Sequence, residues 1–391
     1  MVNPYIADAT AHWRDIAGVA ERQTIDPDQN PRSSPGIPET RKPFVERRAP
    51  DDLDHIPYVN HGSQGVNHSW HIDRPPGFPQ ETGMRIFRHW QDLPEDARGA
   101  SVALGNFDGV HLGHARVVAA AHAARPDAPL AVLTFEPHPR EHFRPDDPPF
   151  RLTLSAERAD ALAALGVQLI YEMPFDHAFS LIDAESFVVD ILHRGLGARH
   201  LACGADFAFG RRRGGSTAFL GTRAEALGIG LTLVPALADV QGPLSSTRIR
   251  RYLQDGYPER ATAELGRPWT IRGIVAHGDK RGRTIGFPTA NIRLGRHLEP
   301  ARGVYAVRLR TPDGASYGGV ANIGRRPTVN EGPESRLEVN IFDFAGDLYD
   351  AELAVSLLAY LRPEQKFSGL DALKAQIAAD AAEARRLLAA A

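Results

Sequence analysis

Ser101-Val102-Ala103-Leu104-Gly105-Asn106-Phe107-Asp108-Gly109-Val110-His111-Leu112-Gly113-His114 is the stretch on which the reading of this chain turns. A short apolar run of buried-strand length enters a glycine-bearing loop, and the segment Ala115–Ala124 that follows has a helical pattern. Strand, loop and helix in that order bring backbone N–H groups and the positive end of a helix dipole to one point, a natural seat for a polyphosphate. The glycines let the backbone approach closely. His111 and His114, three apart, project to one side of a helix start. Such an imidazole pair can donate to phosphoryl oxygens and stabilise charge developing on an α-phosphate. Taken alone, the pair also fits a structural or metal-binding turn, although a catalytic zinc needs a third protein ligand and the spacing supplies none.

The same rhythm continues outward. Met84-Arg85-Ile86-Phe87 reads as a first strand, and Leu130–Phe135, Gln168–Tyr171, Arg199–Cys203 and Leu231–Val234 are further short apolar runs. Helical segments lie between them, among them Ser155–Leu165 and Ala184–Arg194, the latter with Asp183 as N-cap and Gly195 past its end. This predicts an α/β domain with a parallel sheet, and ligands at the carboxyl ends of its strands. After about residue 266 the pattern alternates without helices: Trp269–Val275, Gly303–Leu309 and Leu337–Ile341, with Pro312-Asp313-Gly314 as turn chemistry. That predicts an antiparallel barrel, closed by a helix over about 369–388. The boundary falls near Leu265-Gly266-Arg267-Pro268, giving domains 84–265 and 266–391. Residues 1–83 hold 11 of the 30 prolines and read as a mobile extension or as sequence upstream of a functional start at Met84.

Composition narrows the classes. The 391 residues are 42% hydrophobic and 24% charged, ordinary for a globular chain, and 45 Lys+Arg against 48 Asp+Glu leave a net charge of −3. A nucleic-acid or anionic-membrane partner is therefore not expected. One cysteine, Cys203, excludes an internal disulfide framework and a multi-cysteine metal site. With no apolar run of membrane-spanning length and no visible secretory signal, a cytoplasmic enzyme or binding protein is expected.

A second block, Gly278-Asp279-Lys280-Arg281-Gly282-Arg283-Thr284-Ile285-Gly286-Phe287-Pro288-Thr289-Ala290-Asn291, follows the first strand of the second module. Its glycines and cations suggest phosphate contact, yet it is not a P-loop, and no P-loop occurs in the chain. Thr289 and Asn291 offer two neutral oxygens on one strand face, which a hard cation such as Mg2+ bridging ATP phosphates accepts.

These blocks, in this order, resemble the bacterial bifunctional riboflavin kinase/FAD synthetase family. Gly-x-Phe-Asp-Gly-x-His-x-Gly-His is similar to its nucleotide-binding pattern, followed by Thr134–Pro139, Gly204–Gly210 and Ser245–Arg250. Gly286–Asn291, Asn322–Thr328 and Leu337–Asn340 resemble its kinase module, and Arg362–Phe367 its flavin-covering end. The resemblance implies a Rossmann-like nucleotidyltransferase domain followed by a six-stranded antiparallel β-barrel with a C-terminal helix. It implies that His111, His114, Ser246, Thr247 and Arg250, with Gly105, Phe107, Asp108, Gly109 and Gly113 of the loop, hold ATP, while Asp206 and Phe207 lie near the flavin. The unaided reading agrees in part: Ser246 and Thr247 can cap a helix, and Arg250 can fork onto a phosphate. In the second module the resemblance assigns ATP and flavin to Gly278, Arg281, Gly286, Phe287, Pro288, Thr289 and Asn291, Mg2+ to Thr289 and Asn291, and the general base to Glu338. One departure is Asn340, where the family often has His. The implied substrates and products are riboflavin, FMN, FAD and ATP. Oligomeric state is not legible. Two other readings stay open: a flavin-binding regulatory protein that has lost a reaction, and a nucleotidyltransferase for a non-flavin phosphate ester.

Overall fold

The computed structural model describes residues 83–277, 289–328 and 332–390. Six parallel strands form the first sheet: β1 (Arg85–Phe87), β2 (Ser101–Leu104), β3 (Leu130–Glu136), β4 (Leu169–Pro174), β5 (His200–Gly204) and β6 (Gly230–Val234), in the order β1-β4-β3-β2-β5-β6. The central strands are apolar at nearly every position because both faces are covered; Val102, Leu104, Ala131 and Leu133 pack on one face and Ala103, Val132 and Ile170 on the other. Covering helices include α1 (Leu112–Ala124), α2 (Ser155–Ala163), a run α3 formed by Ala184–Ser186 and Phe187–Gly195, and α4 (Thr217–Ala226). Asp183 caps α3 by accepting from Ser186 N at 2.8 Å. The helix runs through Gly195 rather than ending before it, and from Phe187 it is wound with the wider i→i+5 pitch.

Strand order reverses between β2 and β5. In such sheets the crevice beyond the carboxyl ends at that switch is where ligands are received. The loop after β2, residues 105–111, and the loop after β5, containing Asp206 and Phe207, stand at that edge side by side.

Beyond a two-stranded ribbon, β7 (Ala238–Asp239) with β8 (Gly242–Pro243), come α5 (Ser246–Gln254) and α6 (Pro258–Leu265). A closed antiparallel barrel follows: β9 (Trp269–Ala276), β10 (Ala290–Arg293), β11 (Gly303–Arg310), β12 (Ser316–Thr328), β13 (Gly332–Ile341) and β14 (Glu352–Arg362), in the order β10-β13-β12-β11-β14-β9. Alternate residues fill its interior: Trp269, Ile271 and Val275; Tyr305, Val307 and Leu309; Ala321 and Ile323; Leu337 and Val339; Leu353, Val355 and Leu357. Ile249, Tyr252, Leu253, Ala261 and Leu265 join that cluster, so α5 and α6 bury their apolar faces against the barrel although they precede Gly266. The closing helix α7 (Leu370–Ala390) covers the outward-facing Val304, Ala306 and Val320, and is pinned where Arg362 pairs with Asp380 at 2.7 Å.

Candidate functional site

His111 is the N-cap of α1. Its Nδ1 accepts from His114 N at 3.3 Å, and His111 N donates to His114 Nδ1 at 3.4 Å. With Nδ1 an acceptor in each ring, the proton of each neutral imidazole sits on Nε2, so each ring carries one outward N–H donor. The rings stack at 3.7 Å between centroids, and Phe107 packs against His114. Gly113 permits this, because a Cβ there would meet the His111 ring at 3.0 Å. Burial lowers His111 to about 4, with Asp108 opposing and Arg267 and Arg250 adding to the fall. Burial, the His111 ring and the same two arginines hold His114 well below its ordinary value. Both are neutral hydrogen-bond donors at pH 7.

Asp108, the fourth residue of the loop, turns inward and is 1% exposed. Its carboxylate accepts from Leu152 N and Thr153 N at 3.0 Å and from Arg250 Nη2 at 2.6 Å. Burial raises its pKa, but Arg250 and Arg151 outweigh that and hold the group below the carboxylate range. Asp108 therefore fixes Arg250, whose Nε also donates to Phe150 O at 2.8 Å and whose guanidinium lies over the Phe150 ring. Ser245, rather than Ser246 or Thr247, caps α5 by accepting from Arg248 N. Ser246 Oγ instead donates to Asp108 O at 2.8 Å, which ties α5 to the loop, and Thr247 is exposed. Asp206 is exposed; Phe207 stacks on Phe209 at 5.6 Å. Arg211, Arg212 and Arg213 are solvated.

The second constellation lies on the barrel's outer face. Cross-strand register pairs Asn291 with Glu338 and Glu338 with Asn322, so three polar residues stand abreast on β10, β13 and β12 while their neighbours Ile292, Leu337 and Ile323 point inward. Asn291 is buried and donates from Nδ2 to Thr289 O at 3.3 Å; Asn322 lies 3.4 Å from Glu364. Asn340 is two residues along on the same face. Gly278, Arg281, Gly286, Phe287 and Pro288 lie outside the described residues.

Several participants had no signal in the sequence. Arg151, fully buried, pairs with Glu136 at 3.0 Å and Glu141 at 2.9 Å, and Arg296 from the barrel reaches the same two carboxylates. His297 bridges Glu157 and Leu294 O through its two nitrogens. Burial disfavours its charge, but the Glu157 contact raises its pKa overall.

The family model for FAD synthetase matches residues 93–248, and that for riboflavin kinase matches residues 265–388. The chain is 40% identical over 305 residues to the bifunctional riboflavin kinase/FMN adenylyltransferase of Escherichia coli K12, covering 77% of this chain and 97% of that one. It is 42% identical to the protein so named from Pseudomonas fluorescens (78% and 98% covered) and 38% identical to that from Bacillus subtilis (75% and 94%). A crystal structure described as a macrolide-efflux protein from Streptococcus pneumoniae superposes with a TM-score of 0.68 at 33% identity, covering 76% of this chain and 97% of that one. Among the described residues, no helix is long and apolar enough to cross a membrane.

Proposed function

This chain belongs to the bifunctional riboflavin kinase/FMN adenylyltransferase family, and from that premise we propose how its residues divide two phosphate transfers between two sites. The protein phosphorylates riboflavin with ATP to give FMN and ADP, and adenylylates FMN with a second ATP to give FAD and pyrophosphate. One observation carries the division of labour: two polar constellations stand on different elements, one at the sheet's switch point and one across three barrel strands.

In adenylylation, an FMN phosphate oxygen attacks the α-phosphorus of ATP and pyrophosphate leaves. The Nε2–H groups of His111 and His114 donate to the phosphoryl oxygens, and Arg250, already aimed by Asp108, adds a fixed positive charge. Because the imidazoles are neutral, they stabilise by hydrogen bonding, not by net charge. We assign the remaining loop residues Gly105, Phe107, Asp108, Gly109 and Gly113, with Ser246 and Thr247, to the same cradle, and Asp206 and Phe207 to the flavin side. In phosphorylation, the riboflavin 5′-hydroxyl attacks the γ-phosphorus and Glu338 takes its proton. Thr289 and Asn291 contribute neutral oxygens beside it, a donor set that suits Mg2+ held largely by phosphates and water. Mg2+ supplies charge neutralisation on the phosphates when bound. We place the module boundary at 265/266 and the protein in the cytoplasm, where ATP is available; the free, buried Cys203 accords with a reducing compartment.

The test is to incubate the purified chain with riboflavin, ATP and Mg2+ and to separate the flavins. FMN followed by FAD is expected. Absence of both products would leave only flavin binding.

A further inference from the structure

We propose that Arg267, which lies in the segment matched to riboflavin kinase, is a positioning residue of the other site: its guanidinium grips the nucleotide loop from behind and holds His111 and His114 toward the phosphates. This rests on reading that loop as the seat of ATP in adenylylation.

Helix α6 ends at Leu265, and Gly266, at φ 70°, reverses the chain so that Arg267 points back to the α/β module. Nη2 donates to Gly109 O at 2.8 Å, and Nη1 to Val110 O at 2.9 Å and Leu265 O at 3.3 Å. Ser246 takes the preceding carbonyl, Asp108 O. Three consecutive carbonyls of the loop are thus held by Ser246 and Arg267, immediately before the histidine that caps α1.

That stretch of backbone needs external support. Phe107, Gly109 and Val110 have φ of 51°, 86° and 43°, and a β-branched residue in the left-handed region is a genuine outlier. Such conformations persist when surrounding contacts over-determine them. Arg267 supplies two of those contacts through one rigid planar fork, which an ammonium cannot reproduce.

Its charge is also unusual. Among the described residues, no carboxylate lies within salt-bridge distance of Arg267; all three of its bonds go to main-chain carbonyls. Burial lowers it to about 10, with Glu157 opposing, so it remains a cation at neutral pH. It acts on both His111 and His114, as does Arg250, while Asp108 opposes at His111. A half-buried cation beneath this loop, bonded only to carbonyls and with Glu157 beyond salt-bridge reach, favours an anion above it. The first residues of the kinase module therefore complete the adenylyltransferase site.

The test uses the full chain carrying Arg267→Met or Arg267→Lys, with FMN formation and FAD formation from supplied FMN measured on the same samples. The Met variant should lose at least about 30-fold in kcat/KM for adenylylation, with both kcat reduced and the KM for ATP raised. The Lys variant should keep KM near the unsubstituted value while kcat falls about ten-fold, because charge survives and the fork does not. Riboflavin phosphorylation should stay within about two-fold in both. Met-variant adenylylation within about three-fold of the unsubstituted chain, or parallel loss of both activities in both variants, would overturn the proposal. An unsubstituted chain that makes no FAD from FMN would instead sink the functional reading, and this inference with it.

Discussion

Replacing His111 by Asn should remove a defined part of the acid sensitivity of the α/β module. The native ring is 6% exposed and burial brings it to about 4, whereas a histidine in an unfolded chain titrates near 6.5. Above the unfolded value both states are neutral and the ring contributes no pH dependence. As pH falls below it, the unfolded chain binds a proton that the folded ring refuses, so stability drops until the folded value is reached. At about 1.4 kcal/mol per pH unit, the loss between pH 6.5 and about pH 4.5 is roughly 2.5 kcal/mol from this residue. Asn is a good N-cap and can accept from His114 N as the ring does, so the helix start survives while the titration is removed. Urea unfolding of both proteins, followed by tryptophan fluorescence to which Trp90 of the first module contributes, measures the effect at about pH 7 and about pH 4.5. With a slope of about 2 kcal/mol/M, the native midpoint should fall about 1 M further than that of the variant. His138, also lowered to about 4 mainly by burial, is present in both proteins and cancels. His114, lowered in part by the His111 ring, is relieved in the variant and moves the midpoint in the same direction. A gap between the two proteins that stays constant across this pH range would refute the claim that His111 is held neutral in the fold.

Glu338→Gln should reduce FMN formation by about 10²–10⁴-fold and leave FAD synthesis from supplied FMN intact, while His114→Ala should do the reverse; flavin chromatography reads both. Asp108→Asn keeps the shape but strands Arg250 beside a neutral amide, and breaking a buried pair of this kind costs about 3–5 kcal/mol. Calorimetry should show the melting of the first module lowered by about 6–20 °C, and adenylylation should fall with it. His297 has a raised folded pKa, so its contribution is complete below the unfolded value near 6.5 and is lost as pH rises through the folded one. A His297→Gln variant should lack that decline in melting temperature on the alkaline side, and an unchanged decline would show that another group causes it.

The parts of the fold readable in the sequence are those where burial imposes a local period. Strands covered on both faces, such as Leu130–Phe135, show an unbroken apolar run, and barrel strands such as Gly303–Arg310 alternate because only one face fills the interior. The loop with His111 and His114 was legible because glycines and imidazoles sit at fixed spacing between a strand and a helix. What stayed hidden depends on partners far along the chain. Asp108 reads as a ligand residue, but its carboxylate is occupied by Leu152, Thr153 and Arg250, the last 142 residues away. Ser245-Ser246-Thr247 offers three hydroxyls, and only tertiary packing decides that the first caps, the second ties the loop and the third faces water. Periodicity places α5 and α6 with the domain they follow, whereas their apolar faces complete the barrel core. Arg267 looks like an ordinary linker residue beside a proline until Gly266 turns it back.

These distant contacts converge on one short segment between the modules. Phe150 O accepts from Arg250, and Leu152 N and Thr153 N donate to Asp108, so its groups on one side support the nucleotide loop. On the other side, Leu152 O accepts from the Trp269 indole at 2.8 Å, and Arg151 O accepts from Leu298 N at 2.8 Å, both in the barrel module. Leu152 is itself fully buried in the barrel's cluster. Separating the modules would exchange the Trp269 N–H to Leu152 O bond for bonds to water, a net loss of about 0.5–1.5 kcal/mol. It would also expose the Leu152 side chain, worth about 1.5–3 kcal/mol more. Losing the paired Glu157–His297 contact adds to that sum. A peptide segment whose Phe150 O and Leu152 and Thr153 N–H groups serve one site, and whose Arg151 and Leu152 carbonyls serve the other module, cannot shift for one without cost to the other. The covalent linker at Gly266 keeps the modules together but does not orient them, and their pairing is written into residues 150–153 and their partners.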